Sequence, residues 1–146
     1  MPEFSKTLNN LLIQLNSSSP DIQASAIVSC EGLLMASVMD NKMDGDKVAA
    51  MINAMVSQAA RASHELKCGR PDLVLIKGGE GYVLMQHAGE QAILTVLLRR
   101  SAQLGFVFLC CQRYAIKIAE TGIAKPNTRI GLVYLGKRTN DQTLAL

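Results

Sequence analysis

The sequence predicts an α+β layered sandwich: one five-stranded antiparallel sheet with three helices packed on it, in the order α-β-β-α-β-β-β-α. Three observations predict it. Apolar residues recur every three or four positions in three separate segments, the period of an amphipathic helix. Five short runs rich in Val, Ile, Leu or alternating small residues have the pattern of strands. Short glycine-bearing turns at Glu31-Gly32, Gly78-Gly79-Glu80-Gly81 and Gly89-Glu90 join neighbouring runs, so the strands they connect run antiparallel. A doubly wound parallel sheet needs helical crossovers, and these turns are too short to hold them. Helices packed on an antiparallel sheet are the simple remaining solution.

Each element follows from local chemistry. Phe4, Leu8, Leu11, Leu12 and Leu15 form one apolar stripe on a first helix of about four turns. Asn16, three serines and Pro20 end it, because they favour turns and proline disfavours helix in the residue before it. Residues 23–38 read as a tight hairpin: Ala24, Ala26 and Val28 alternate with Ser25, Ile27 and Ser29, and Gly32 supplies a positive φ at the turn. Asp44-Gly45-Asp46 starts the second helix, with acids at the positive end of its dipole. That helix runs about five turns to Leu66, and Cys68-Gly69-Arg70-Pro71 closes it. Residues 73–77, 82–88 and 92–98 are the next three strands. A third helix covers about residues 106–120, with Val107, Cys111, Tyr114 and Ile118 inward and Gly122 as its C-terminal cap. The domain is expected over residues 3–122. Residues 123–146 form a basic C-terminal extension, with a short strand at about 129–135 and a frayed end.

Two segments hold more apolar surface than one chain needs. On the second helix, Val48, Ile52, Met55, Val56, Ala59 and Leu66 make one apolar face. Ala50, Met51, Ala54, Met55 and Ala62 make a second that overlaps it. A helix apolar on two sides is buried on two sides, and in a domain this thin the second side meets another chain. Leu73-Val74-Leu75-Ile76 is apolar on both faces, as central strands are. Left at a sheet edge it would be an aggregation hazard, and pairing with a second copy removes that hazard.

Composition narrows the function. The 146 residues suit one domain, with 49% hydrophobic and 18% charged residues, far from the disordered class. There is no Trp, and only three Phe and three Tyr, so Leu, Ile, Val, Met and Ala build the core. Seven methionines either fill core gaps or form a surface that repacks against partners. The net charge is a mild +3. Between Arg99 and Arg138, however, eight basic residues face one acid, Glu120. The spread of these charges and the lack of interleaved aromatics favour a solvated helix face and tail over nucleic acid or lipid. No apolar run is long enough for a membrane span. The start lacks the apolar core of a signal peptide, so a cytoplasmic location is expected, with Cys30, Cys68, Cys110 and Cys111 as free thiols.

Candidate chemistry is thin, and no catalytic residue, cofactor or metal is expected. Lys77-Gly-Gly-Glu-Gly81 lacks the trailing Lys-Ser/Thr of a phosphate-binding loop and reads as a hairpin turn. His64, His87 and the cysteines show no zinc-site spacing. Cys68 and His64 lie four residues apart, but a thiolate pair also needs a third, orienting group.

Four stretches in order resemble the Roadblock family, which includes dynein light chains and bacterial and archaeal regulators of small Ras-like GTPases. They are the hairpin from Ala24 to Ser37, the Ala/Met-rich helix from Val48 to Leu66, the strands from Leu73 through Gly81-Tyr-Val-Leu-Met85 to Val96, and Ala102-Gln-Leu-Gly105 leading into the last helix. Glu31 stands where the family often has Asp, and the tail exceeds the family's usual minimum. The resemblance implies a profilin-like layered sandwich and a homodimer joined through the third strand, Leu73, Val74, Leu75 and Ile76. It places the second helices antiparallel across the join, with Met51, Ala54, Met55 and Ala62 in the interface. It also implies no active site of the protein's own. In gliding-motility relatives the helix platform contacts a GTPase and speeds GTP hydrolysis by arranging the GTPase's own residues. Carried to this chain, Gln58, Arg61 and His64 are the polar residues to face such a partner.

Three functions compete at this stage. The leading one is a dimeric regulator or adaptor of a small GTPase. The second is a structural adaptor, like dynein light chains, whose binding ignores nucleotide. The third is a small-molecule or redox sensor using Cys110, Cys111 or a pocket on the sheet.

Overall fold

Local sequence decides where each element begins and ends. The computed structural model describes residues 2–122; the expected basic extension and its short strand lie outside the described residues. Helix α1 (Pro2–Ser18) buries Leu8, Leu12 and Leu15 completely, one side of a regular stripe. It stops where Ser18 turns its hydroxyl back to the Leu15 carbonyl, 2.6 Å away. Strands β1 (Ile22–Ser29) and β2 (Leu34–Val38) form the expected hairpin. Gly32 turns it at φ 89°, and the Ser29 hydroxyl accepts from the Glu31 and Leu33 backbone N–H groups.

Helix α2 (Gly45–Glu65) opens with Asp44 as its cap, which accepts from the Lys47 N–H at 3.3 Å. It ends one residue before Leu66. Leu66 was expected on the inner apolar face; it sits in the cap and is 74% exposed, because the helical period no longer reaches it. Strands β3 (Leu73–Lys77), β4 (Gly81–His87) and β5 (Ala92–Arg99) follow as a meander. A side chain at position 81 would run into the Leu98 carbonyl oxygen, so glycine lets β4 begin against β5. Helix α3 (Leu104–Glu120) ends at Gly122, φ 85°, as its cap chemistry requires.

The sheet order is β2-β1-β5-β4-β3, antiparallel throughout. α1 and α3 pack on one face, over Ile27, Leu84, Leu94, Val96 and Leu98. α2 packs on the other, over Val28, Met85 and Ile93. Asp21 ties the two ends of the chain together. Its carboxylate accepts from Arg99 Nε at 2.6 Å and from the Gln103 backbone N–H at 2.9 Å. Gln103 caps α3 without a side-chain bond of its own, so an acid from another loop meets the positive end of that helix. The Gln103 N–H, and then the Arg99 guanidinium, hold the Asp21 carboxyl below its ordinary value. Arg99 thus serves an internal contact, which accounts for one charge of the basic stretch.

Candidate interaction surface

The outward side of α2 is built from small and flexible side chains. Ala49, Ile52 and Val56 point into the sheet and are buried. Burying an Ile or Val contributes about 1.5–3 kcal/mol, enough to fix the helix on the sheet from one side. The opposite side carries Ala50, Met51, Ala54 and Ala62, all exposed, with Met51 at 49%. Alanines here let a second helix approach closely, and Met51 supplies an adaptable apolar contact. Met55 differs from the other three α2 interface candidates, Met51, Ala54 and Ala62. It is half-buried and packs against the cluster under α2, so it belongs partly to the chain's own core.

The second part of the surface is β3. It ends the sheet, and among the described residues it pairs only with β4. Leu73 and Ile76 are exposed, at 36% and 37%, while Val74 and Leu75 are half-buried against opposite faces of the sheet. The strand that reads as central therefore lies at an edge. A row of backbone groups and apolar side chains stands open there, the arrangement that invites pairing with another strand. Gln58, Arg61 and His64 are all exposed on α2, three residues apart, so they form one polar line running among the exposed apolar residues of the same face.

The alternative chemistries find little support in the geometry. Cys68 and His64 are both exposed, and the Cys68 sulfur lies 3.7 Å from the Leu66 carbonyl oxygen. Cys110 and Cys111 are buried on the inner side of α3, and burial, then the neighbouring Cys110, pushes the Cys111 thiol up to about 12. Gly78 donates its N–H to the Gly81 carbonyl, which makes the glycine run the tight β3–β4 turn. Among the described residues no group of three or more His, Cys, Asp or Glu could hold a metal ion, and no helix is long and apolar enough to cross a membrane.

One feature of the surface went unread in the sequence. Phe106, Leu109 and Ile116 stand 53–64% exposed along the outer side of α3. The signal was present, since residues 104–111 are apolar all round the helix.

The structure is a small α+β domain with an exposed apolar helix face and an open apolar sheet edge, and comparison with known proteins gives its family. The family model for the Roadblock/LC7 domain matches residues 8–98. MJ0310, an uncharacterized protein of Methanocaldococcus jannaschii, is 33% identical over 111 residues, covering 76% of this chain and 96% of that one. The chain belongs to the Roadblock/LC7 domain family. Solved structures share the fold. MglB of Myxococcus xanthus matches with a TM-score of 0.73 at 15% identity, covering 80% of this chain and 87% of that one. A structure described as MglB with tetrameric arrangement matches at 0.72 with 17% identity, covering 81% and 89%. A Roadblock/LC7 domain from Streptomyces avermitilis matches at 0.71 with 19% identity, covering 75% and 92%.

Proposed function

We propose that the chain forms a homodimer, and that the dimer is a non-catalytic regulator or adaptor of a small Ras-like GTPase in the cytoplasm. The observation that carries the reading is a coincidence: the exposed Ala/Met face of α2 and the open apolar edge of β3 occur on one domain. Two copies pair through β3 and lay their α2 helices across the join. Met51, Ala54 and Ala62 meet there, with Met55 beneath them. The domain over residues 3–122 carries this assembly, and residues 123–146 extend from it.

Gln58, Arg61 and His64 then face a GTPase. The dimer needs no cofactor, because its contribution is to hold the partner's own groups in place. Solved relatives include gliding-motility MglB proteins, one of them described in a tetrameric arrangement, which supports an assembly built from several copies. The test is light scattering and binding of the full chain with a candidate small GTPase loaded with GTP or GDP. A dimer that prefers the GTP form by tenfold or more is expected, with the preference reduced in Arg61→Ala. Equal affinity for both forms would replace the regulator by a passive adaptor.

A further inference from the structure

Between α2 and the sheet lies a cavity of about 400 Å³. Its floor is Ala24 and Ala26 of β1, Val83 of β4, and Thr95 and Leu97 of β5. Met51, Ile52 and Met55 overhang it from α2, and Met39 and Met43 close one side from the β2–α2 loop. The cavity exists because β1 carries alanine where larger residues would fill the gap. Ala26 lies directly opposite Thr95 in the β1–β5 register, and Ala24 opposite Leu97.

Thr95 is the informative residue. It is 3% exposed, yet among the described residues its hydroxyl oxygen has no hydrogen-bond partner. The other polar lining residue, Ser25, donates its hydroxyl to Asn16 Oδ1 at 2.6 Å. A buried hydroxyl without a partner is costly, so such a group is normally satisfied by something. Among the described residues no charged side chain lines the space. An anionic or cationic guest would lose its hydration with nothing to replace it. The volume falls within the roughly 300–1,000 Å³ of small-molecule sites.

We propose that this cavity is a binding site for a small, uncharged, mainly apolar molecule bearing one hydrogen-bonding group, which engages the Thr95 hydroxyl. The flexible methionines adjust to the shape of the apolar part. The small Ala26 leaves room for the polar group beside Thr95. Met51, Ala54 and Met55 also belong to the proposed dimer face, and the floor of the site lies beneath them within one chain.

The test uses the full chain and N-phenyl-1-naphthylamine, an uncharged fluorophore with a single N–H. Saturable binding of one probe per chain is expected, with 1-decanol displacing it at least tenfold more effectively than decanoate. Ala26→Leu fills the space beside Thr95 and should weaken the probe at least tenfold. Thr95→Val keeps the shape and removes the hydroxyl, and should weaken it about three- to tenfold, as for the loss of one neutral hydrogen bond. Circular dichroism checks that both variants fold, and Thr95→Val carries the test if Ala26→Leu does not. Absent binding, binding indifferent to both substitutions, or equal displacement by decanoate overturns the proposal. A probe affinity that falls as the chain self-associates also overturns it, and assigns the cavity to a second copy. The mass in solution, measured separately, tells that outcome from a failure of the dimer itself.

Discussion

The face of the sheet under α1 and α3 buries Leu8, Leu12, Leu15, Ile27, Leu94 and Ile118 to 0% exposure. The face under α2 has one helix, a cavity beside it, and a line of exposed alanine and methionine on the helix's far side. The same chain thus closes one core fully and leaves the other to be completed. Directly under α2, Val28, Met85 and Ile93 are buried to 0–1%, and the cavity lies beside them. The difference separates a tightly closed α1/α3 layer from an α2 layer that keeps a cavity and an exposed apolar helix face.

The sharpest way to break that contrast is to truncate one side chain on each face. Leu94→Ala should cost about 2–5 kcal/mol, since it removes a fully buried leucine from a closed layer. Met51→Ala should change the stability of a dilute, monomeric sample by no more than about 0.5 kcal/mol, the range for surface positions. Urea unfolding of both variants reads the comparison directly. Similar losses at the two positions would mean that α2 is as much a part of the closed core as β5.

A smaller effect tests the α2 side by pH. Burial, and then the nearby Arg70, lower the pKa of His87, while Glu90 acts the other way. The unfolded chain therefore takes up a proton before the folded one does. Stability should fall as pH drops from about 6.5 through the folded value, and hold steady above that window. Thermal unfolding of His87→Gln should show a flatter dependence there. An unchanged slope would remove His87 as its cause.

The cysteines give the gentlest probe. Cys68 lies exposed beyond the end of α2, whereas Cys110 and Cys111 sit buried on the inner side of α3. Brief iodoacetamide treatment of the native protein, read by mass spectrometry of peptides, should modify Cys68 first and leave Cys111 until unfolding. Early labelling of Cys111 would show that the α1/α3 layer opens readily.

Much of this was legible in the residues. The two-sided apolar pattern of α2 identified its outward face before any packing was known, because a 3.6-residue period reports both sides of a helix at once. Cap and turn chemistry placed Asp44 and Gly122 at helix ends and Gly32 at the hairpin turn, each for a local reason. Leu73 to Ile76 read as central because apolar residues on both faces indicate burial, but strand order is a property of the whole sheet, and it puts β3 at the edge. Met55 stood in both apolar arcs of the helix, and it is half-buried against the cluster beneath α2. The cavity could not be read at all. It depends on Ala26 standing opposite Thr95 across a register between strands almost seventy residues apart in the chain.

The central claim is that the outward face of α2 and the edge of β3 are covered by a second copy of the chain. The measurement that tests it most directly is the solution mass of the wild-type chain and of Met51→Glu, by light scattering at micromolar concentration. The account predicts twice the mass of one chain for the wild type. It predicts the mass of one folded chain for Met51→Glu, where a charge would be buried without a partner. A wild-type chain that stays monomeric, or a Met51→Glu variant that remains a dimer, would contradict it.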